Sequence, residues 1–154
     1  MAVATYTSTV YDNAGVKSVH TGNVTVDGQM KWTAAGTVGD ILFLCKVPHG
    51  ARIVDFFEYH SNGQTAVGLD FGFNKGIAAG GGANASCLIS GGAVATMNRM
   101  SFAASPNNGP LQISLSDLDA VRYATLICKG ASGTLTITTS VAFSLTYRMD
   151  ETQG

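Results

Sequence analysis

Apolar and hydroxyl-bearing residues alternate with a period of two near the C-terminal end of the chain. The apolar positions carry β-branched or aromatic side chains, and Thr, Ser or Ala lies between them. This pattern is typical of a strand with one buried face, so one long strand or two collinear strands are expected here. The apolar positions are Leu135, Ile137, Val141, Phe143, Leu145 and Tyr147.

Four further segments have strand character. Alternation recurs at residues 67–73 and 121–127. Residues 41–47 are apolar except for Lys46 and are followed by a Pro-His-Gly turn, which favours a strand buried on both faces. Residues 52–60 could also place Ile53, Phe56, Phe57 and His60 on one helical face. Flanking turns and the lack of a helix cap favour a strand there too.

Weaker signals complete an all-β prediction. The expected fold is a single antiparallel β-sandwich or jelly roll spanning residues 1–154, with an extended N-terminal arm at about residues 1–12 and a short polar tail at 150–154. Weaker strands are expected at residues 4–10, 24–31, 93–101 and 111–115, loops at 80–84 and 105–110, and one helical turn at 116–119.

Charge is scarce and unevenly distributed. Only 12% of the residues are charged and the net charge is -1, so no basic footprint for direct nucleic-acid binding is present. Arg99 is the only charged residue between positions 75 and 117. Because interface centres are depleted of charge, we expect part of this stretch to be buried between subunits.

The sequence also argues against membrane insertion and disulfide bonding. The first residues lack the basic and apolar blocks of a signal peptide. The long uncharged run at residues 76–98 contains six glycines and few large apolar side chains, unlike a membrane span. Cys45, Cys87 and Cys128 are an odd number at wide spacings, which favours free, buried, reduced thiols.

No motif for catalysis or for a cofactor is found. The spacing of His20, His49 and His60 fits no zinc site, and the glycine-rich segment lacks the pattern of a phosphate-binding loop. A Gly-x-Ser-x-Gly nucleophile elbow is also missing. We therefore expect no enzyme activity, no catalytic or metal-binding residue and no cofactor.

Residues 39–55 carry a recognisable string: Gly-Asp, an apolar strand, Lys-Val-Pro-x-Gly-Ala-x-Ile and a second strand. This string, the strand at 67–73 and the Thr-rich segment at 123–147 resemble the capsid cement, or decoration, proteins of tailed bacteriophages. The matching parts cover about two-thirds of the chain. The resemblance implies a homo-oligomeric jelly roll, dimer or trimer, assembled in the host cytoplasm, that sits on the capsid surface and stabilises contacts between major capsid protein subunits.

Large amphipathic side chains are the candidates for partner contacts, because such groups dominate interface energetics. Trp32 could equally pack inside the sandwich. Other roles remain open: a neck, tail or head-fibre component of the virion, or a carbohydrate-binding jelly-roll module, although a single Trp argues against a sugar site. The candidate contact residues are Tyr6, Tyr11, Trp32, Met97, Arg99 and Met100.

Overall fold

The computed structural model describes residues 5–8, 10–11, 22–31, 36–61, 68–78, 82–92, 97–100, 111–113, 123–133 and 139–149. Within these ranges the chain forms β-strands and no helix. Consequently the described residues include no helix with the length and apolar character needed to cross a bilayer. The strands are β1 (Thr5–Thr7), β2 (Asn23–Lys31), β3 (Ile41–Pro48), β4 (Ala51–Ser61), β5 (Gly68–Ala78), β6 (Gly82–Gly92), β7 (Met97–Arg99), β8 (Tyr123–Ser132) and β9 (Ser140–Met149).

The strands form two sheets whose pairing is nested. One sheet has the order β1-β3-β8-β5-β6, and the other has the order β2-β9-β4-β7. Strand β5 pairs with β6, β4 with β7, β3 with β8 and β2 with β9, each antiparallel. This is the pairing of one long hairpin rolled into two sheets, which is the eight-stranded jelly roll. The predicted all-β sandwich is therefore confirmed.

The core lies between the two sheets and is built from the inward half of each strand's alternating pattern. On β9, for example, Val141, Phe143, Leu145 and Tyr147 are buried, as the C-terminal periodicity predicts. Phe56 of β4 and Phe71 of β5 meet across the sandwich with ring centroids 5.3 Å apart. The remaining large, fully buried side chains are Phe73, Leu42, Leu44, Ile53, Leu69, Ile113, Leu126 and Leu145.

Two β-bulges change which side of a strand faces the core. On β3 the register shifts between Phe43 and Cys45, so that Leu44 and Cys45 are both buried. On β4 the shift falls between Ile53 and Asp55. An extra residue reverses the alternation beyond it. The largely apolar run at 41–47 thus reflects a bulge, and its outer positions are only half-buried; the prediction of a strand buried on both faces was wrong.

Strand β6 was missed by the sequence analysis. Residues 82–84 lie in a strand and not in the loop expected at 80–84. The strand contains Gly, Ala, Asn and Ser, which have little intrinsic preference for strands. Its position depends on β5, where Gly72 approaches so closely that a Cβ atom there would lie 2.1 Å from the carbonyl oxygen of Asn84. Only glycine fits at that contact.

Residues 5–7, within the segment predicted as an extended N-terminal arm, form an edge strand of the larger sheet. Strand β1 runs parallel to β3, and the Ser8 amide donates to the carbonyl of Phe43 over 2.8 Å. Residues 111–113 are joined to β4 by the Arg52–Gln112 bridge and do not form the expected strand. The predicted helical turn at 116–119, the loop at 105–110 and the tail at 150–154 lie outside the described residues.

Candidate interaction surface

The outer face of the four-stranded sheet carries the most exposed apolar group of the described chain. Two adjacent rows of side chains cross all four strands there. The first row contains Asp27, Ser144, Phe57 and Arg99, and the second contains Gln29, Ala142, Tyr59 and Met97, in the order β2, β9, β4 and β7.

Three large apolar side chains are concentrated on the β4–β7 half of this face. The exposed fractions are 38% for Phe57, 46% for Tyr59 and 67% for Met97. Beside them, β9 contributes only the small side chains Ala142 and Ser144. The face therefore has a ridge over β4 and β7 next to a shallow floor over β9. Contiguous exposed apolar groups of this kind mark contact sites on soluble proteins.

Arg99 borders the apolar group and is fixed by a carboxylate. Its Nε donates to Asp55 Oδ1 over 2.9 Å, and its Nη2 donates to Asp55 Oδ2 over 2.6 Å. These hydrogen bonds raise the pKa of the Arg99 guanidinium above its usual value. The side chain remains 68% exposed. The cation is thus oriented but open to a partner, and it has N–H donors left over.

The inner side of the same part of β4 is polar. Glu58 and His60 are completely buried, and His60 Nδ1 lies 2.9 Å from Glu58 Oε2. Asn98 of β7 donates from its side-chain amide to Glu58 Oε1 over 2.6 Å. Gly92 covers this group so closely that a Cβ atom there would lie 3.0 Å from Glu58 Oε1. The polar group ties β7 to β4 from inside the sandwich.

The candidate residue Tyr11 lies on the opposite sheet and is engaged within the chain. Its ring stacks on Phe43 with centroids 5.7 Å apart. The Lys46 ammonium lies 4.7 Å from the Tyr11 ring centroid and 5.0 Å from that of Tyr123. Cation–π contacts of this kind hold the residues after β1 against β3.

The other sequence candidates are dispersed. Only Met97 and Arg99 are brought together on the exposed face. The amide of Met100 donates to the carbonyl of Phe56, and its side chain packs against the core. The backbone of Tyr6 in β1 pairs with that of Leu42 in β3. Trp32 lies outside the described residues. Phe57 and Tyr59 were missed, because the bulge at 53–55 decides which aromatic residues of β4 point outward.

The charge-poor part of the sequence maps to one side of the sandwich. Strand β6 has no charged residue and forms an edge of the larger sheet, while β7 forms an edge of the smaller one. The two strands contact each other. We call this the β6/β7 side. The edge strand β6 lacks the charged or Pro residues that usually protect edges, although bulges interrupt the β5–β6 pairing.

The described residues include the three cysteines of the chain. Burial raises the pKa of the Cys45 and Cys87 thiols to about 12 and that of Cys128 well above its usual value. All three are free thiols, and Cys45 and Cys128 are buried. In the described ranges no group of three or more His, Cys, Asp or Glu side chains is placed to hold a metal ion.

Fold comparison places the chain among all-β sandwiches found in phage capsid structures. No protein-family model and no curated protein sequence matches it. A chain in the capsid of Ralstonia phage GP4 matches with a TM-score of 0.68 at 14% identity, over 97% of this chain and all of that one.

Two other capsid structures show the same fold. A chain in the cyanophage Pam1 capsid asymmetric unit matches with a TM-score of 0.59 at 15% identity, over 89% of this chain and 91% of that one. A chain in the acid-stable capsid of Helicobacter pylori bacteriophage KHP30 matches with a TM-score of 0.54 at 8% identity, covering 85% and 90% of the two chains.

Proposed function

We propose that this protein is a non-enzymatic structural component of a tailed-phage virion. In this role it binds the outer surface of the capsid and stabilises contacts between major capsid protein subunits, as a cement protein does. The single observation that carries the proposal is the match to the chain in the Ralstonia phage GP4 capsid, which extends over 97% of this chain and the whole of the other. A match of that extent involves the sandwich as a whole and is not confined to a few strands.

The β6/β7 side is the surface that we assign to the shell. Uncharged surface loses little solvation when it is covered by another protein, since no ion must be stripped of water. Among the described strands, β6 is paired on one side only, so its other edge can offer backbone groups to an extended segment of a partner. Both features lie on the same side of the sandwich.

Binding alone is sufficient for the effect, and no reaction is needed. A ligand that binds the assembled shell and not its separated subunits stabilises the shell by mass action. At a free concentration about 100-fold above the dissociation constant, each occupied site contributes about 2.7 kcal/mol. A small protein present in many copies can therefore stabilise a capsid without any rearrangement of its own.

Copy counting in purified virions tests the role directly. Quantitative mass spectrometry should find this chain in numbers comparable to the major capsid protein. Particles lacking the chain should release DNA at a lower temperature, and purified chain added back should restore the release temperature. About a dozen copies or fewer would instead indicate a neck, tail or fibre component, and undiminished heat stability without the chain would contradict a cement role.

Hydrogen exchange tests the assigned surface. Amides of β6 and β7 should exchange more slowly on particles than in the isolated protein. Those of β8, which lies at the centre of its sheet, provide the control, because they are protected in both states. Equal exchange of β6 and β7 in the two states would contradict the assignment.

A further inference from the structure

We propose that the outer face of the β2-β9-β4-β7 sheet is the interface of a two-fold symmetric dimer of this chain. The proposal concerns the purified protein and does not depend on the capsid-binding role. It rests on the shape, the charges and the size of the two rows of side chains described above.

The shape of the face is complementary to itself. In a face-to-face dimer with its two-fold axis parallel to the strands and between β4 and β9, β4 of one copy lies over β9 of the other. The Tyr59 ring of one copy then fits over the exposed Ala142 of the other. The Phe57 ring lies over Ser144, which is small and only 7% exposed. A ridge of large residues beside a floor of small ones is what an isologous interface requires, because both copies contribute the same surface.

The same symmetry pairs opposite charges. It places β7 of one copy over β2 of the other, and in the first row this sets Arg99 opposite Asp27. Asp27 is exposed, and two N–H groups of Arg99 already hold Asp55. A guanidinium has five such donors, so Arg99 can hold a carboxylate from each copy. Two equivalent Asp27–Arg99 pairs would border the apolar centre.

The size of the face suits a dimer. Three strands of roughly 30 Å and the three-residue β7, spaced about 4.8 Å apart, give a face of roughly 500 Å² in projection. A standard interface takes about 800 Å² of accessible surface from each partner, and side-chain relief makes accessible area exceed projected area. Pairs of sheets also pack face to face at about 10 Å, which leaves room for one interleaved layer of rings.

Sedimentation equilibrium of the full-length chain and a hole-filling variant test the interface. The wild-type protein should form dimers, and Ala142→Tyr should raise the dimer dissociation constant by about tenfold or more, because it fills the floor that receives Tyr59. Tyr is favourable in an exposed strand, so the fold is retained. The control is Val38→Tyr, which adds the same ring at an exposed turn and should leave the dissociation constant unchanged.

A charge exchange tests the symmetry itself. Asp27→Lys and Arg99→Glu should each weaken self-association by about tenfold, since each sets like charges opposite one another. In an equimolar mixture, the lysine introduced in one variant meets the glutamate introduced in the other, while the second pair stays Asp27–Arg99. The mixture should therefore form heterodimers about as tightly as the wild type. General damage to the fold cannot produce this recovery.

Several outcomes would overturn the proposal. A wild-type chain that stays monomeric at about 1 mM, or an oligomer that Ala142→Tyr leaves intact, excludes this face as a dimer interface. If Asp27→Lys and Arg99→Glu each weaken self-association and their equimolar mixture associates no more tightly, the proposed symmetry is excluded. Protection of Tyr59 and Met97 on virus particles but not in concentrated pure protein would assign the face to the shell instead.

Discussion

The two sides of strand β4 invert the usual distribution of side chains. Beyond the bulge, the inward side carries Glu58 and His60, both without any exposure, next to Phe56. The outward side of the same few residues carries Phe57 and Tyr59, which are 38% and 46% exposed. A strand folding alone in water would gain by the opposite arrangement, because buried ionisable groups are costly and exposed rings gain nothing.

This contrast separates two demands on one strand. Glu58 is hydrogen-bonded to His60 and Asn98. These contacts offset the cost of its burial and hold the edge strand β7 in place. Among the described residues, the outer rings have no comparable hydrogen bonds or ion pairs to offset their exposure. Their exposure is explained if another protein covers them. The inner polar group fixes β7, the strand that carries Met97 and Arg99.

The largest expected effect comes from breaking the inner side. Glu58→Ala removes the acceptor for His60 and Asn98 and should lower the free energy of unfolding by about 3 kcal/mol or more, as the loss of one member of a buried pair does. Urea denaturation measures it. The control replaces Glu58 and His60 together by Leu, which removes both ionisable groups and should recover most of the loss. If Glu58→Ala costs under about 1 kcal/mol, the inner group is not a structural tie.

A pH series probes the same interior at an intermediate scale. Burial raises the pKa of Cys45 and Cys87 from 9.0 to about 12; for Cys128, burial acts together with the charges of Glu58 and Asp70. Above pH 9 the unfolded chain therefore releases thiol protons that the folded chain retains. Unfolding free energy should fall by about 1.4 kcal/mol per pH unit for each of Cys45 and Cys87 between pH 9 and about pH 12, and Cys128 should add to the fall.

A cysteine variant tests whether the buried thiols cause this pH dependence of the unfolding free energy. Cys45→Ala should remove one thiol's share of the slope between pH 9 and pH 12 while leaving the shares of Cys87 and Cys128. Rapid modification of Cys45 or Cys128 by a thiol reagent in the native protein near pH 8 would show that these groups are accessible, contrary to their burial.

The smallest effect on stability is expected on the outer side. Tyr59→Thr exchanges an exposed ring for a good strand former and should change the unfolding free energy of the monomer by less than about 0.5 kcal/mol. Urea denaturation of dilute protein measures it, with Phe57→Thr as a companion variant. A loss above about 1.5 kcal/mol would mean that the ring supports the core, and the contrast between the two sides of β4 would no longer hold.

The sequence predicts those parts of the fold in which local pattern and tertiary environment agree. Strand β9 was predicted because its alternation is uninterrupted and Val141, Phe143, Leu145 and Tyr147 are all buried. Strand β4 was assigned as a strand although a helical face was an alternative, and the structure agrees. Strand β6 could not be predicted, since its Gly, Ala and Ser residues carry no strand preference and its place is set by the close approach of Gly72 to Asn84.

The candidate surface was predictable only in part. The isolation of Arg99 in an uncharged stretch was visible in the sequence, and Met97 and Arg99 lie on the exposed face. The rings that complete the face were not, because uninterrupted alternation from Ile53 places Phe57 inside. The register shift between Ile53 and Asp55 reverses this, and a bulge leaves no reliable mark in a single sequence.

The nested strand order has a consequence for when the protein can fold. Strand β9 lies between β2 and β4 in its sheet, and Thr25 meets Thr146 at a separation of 121 positions. A chain emerging from the ribosome therefore cannot complete its smaller sheet until its last strand has been synthesised. Contacts so distant in sequence make folding slow, so the concentration of folded protein lags behind synthesis, and a chaperone would have time to act on the unfolded chain.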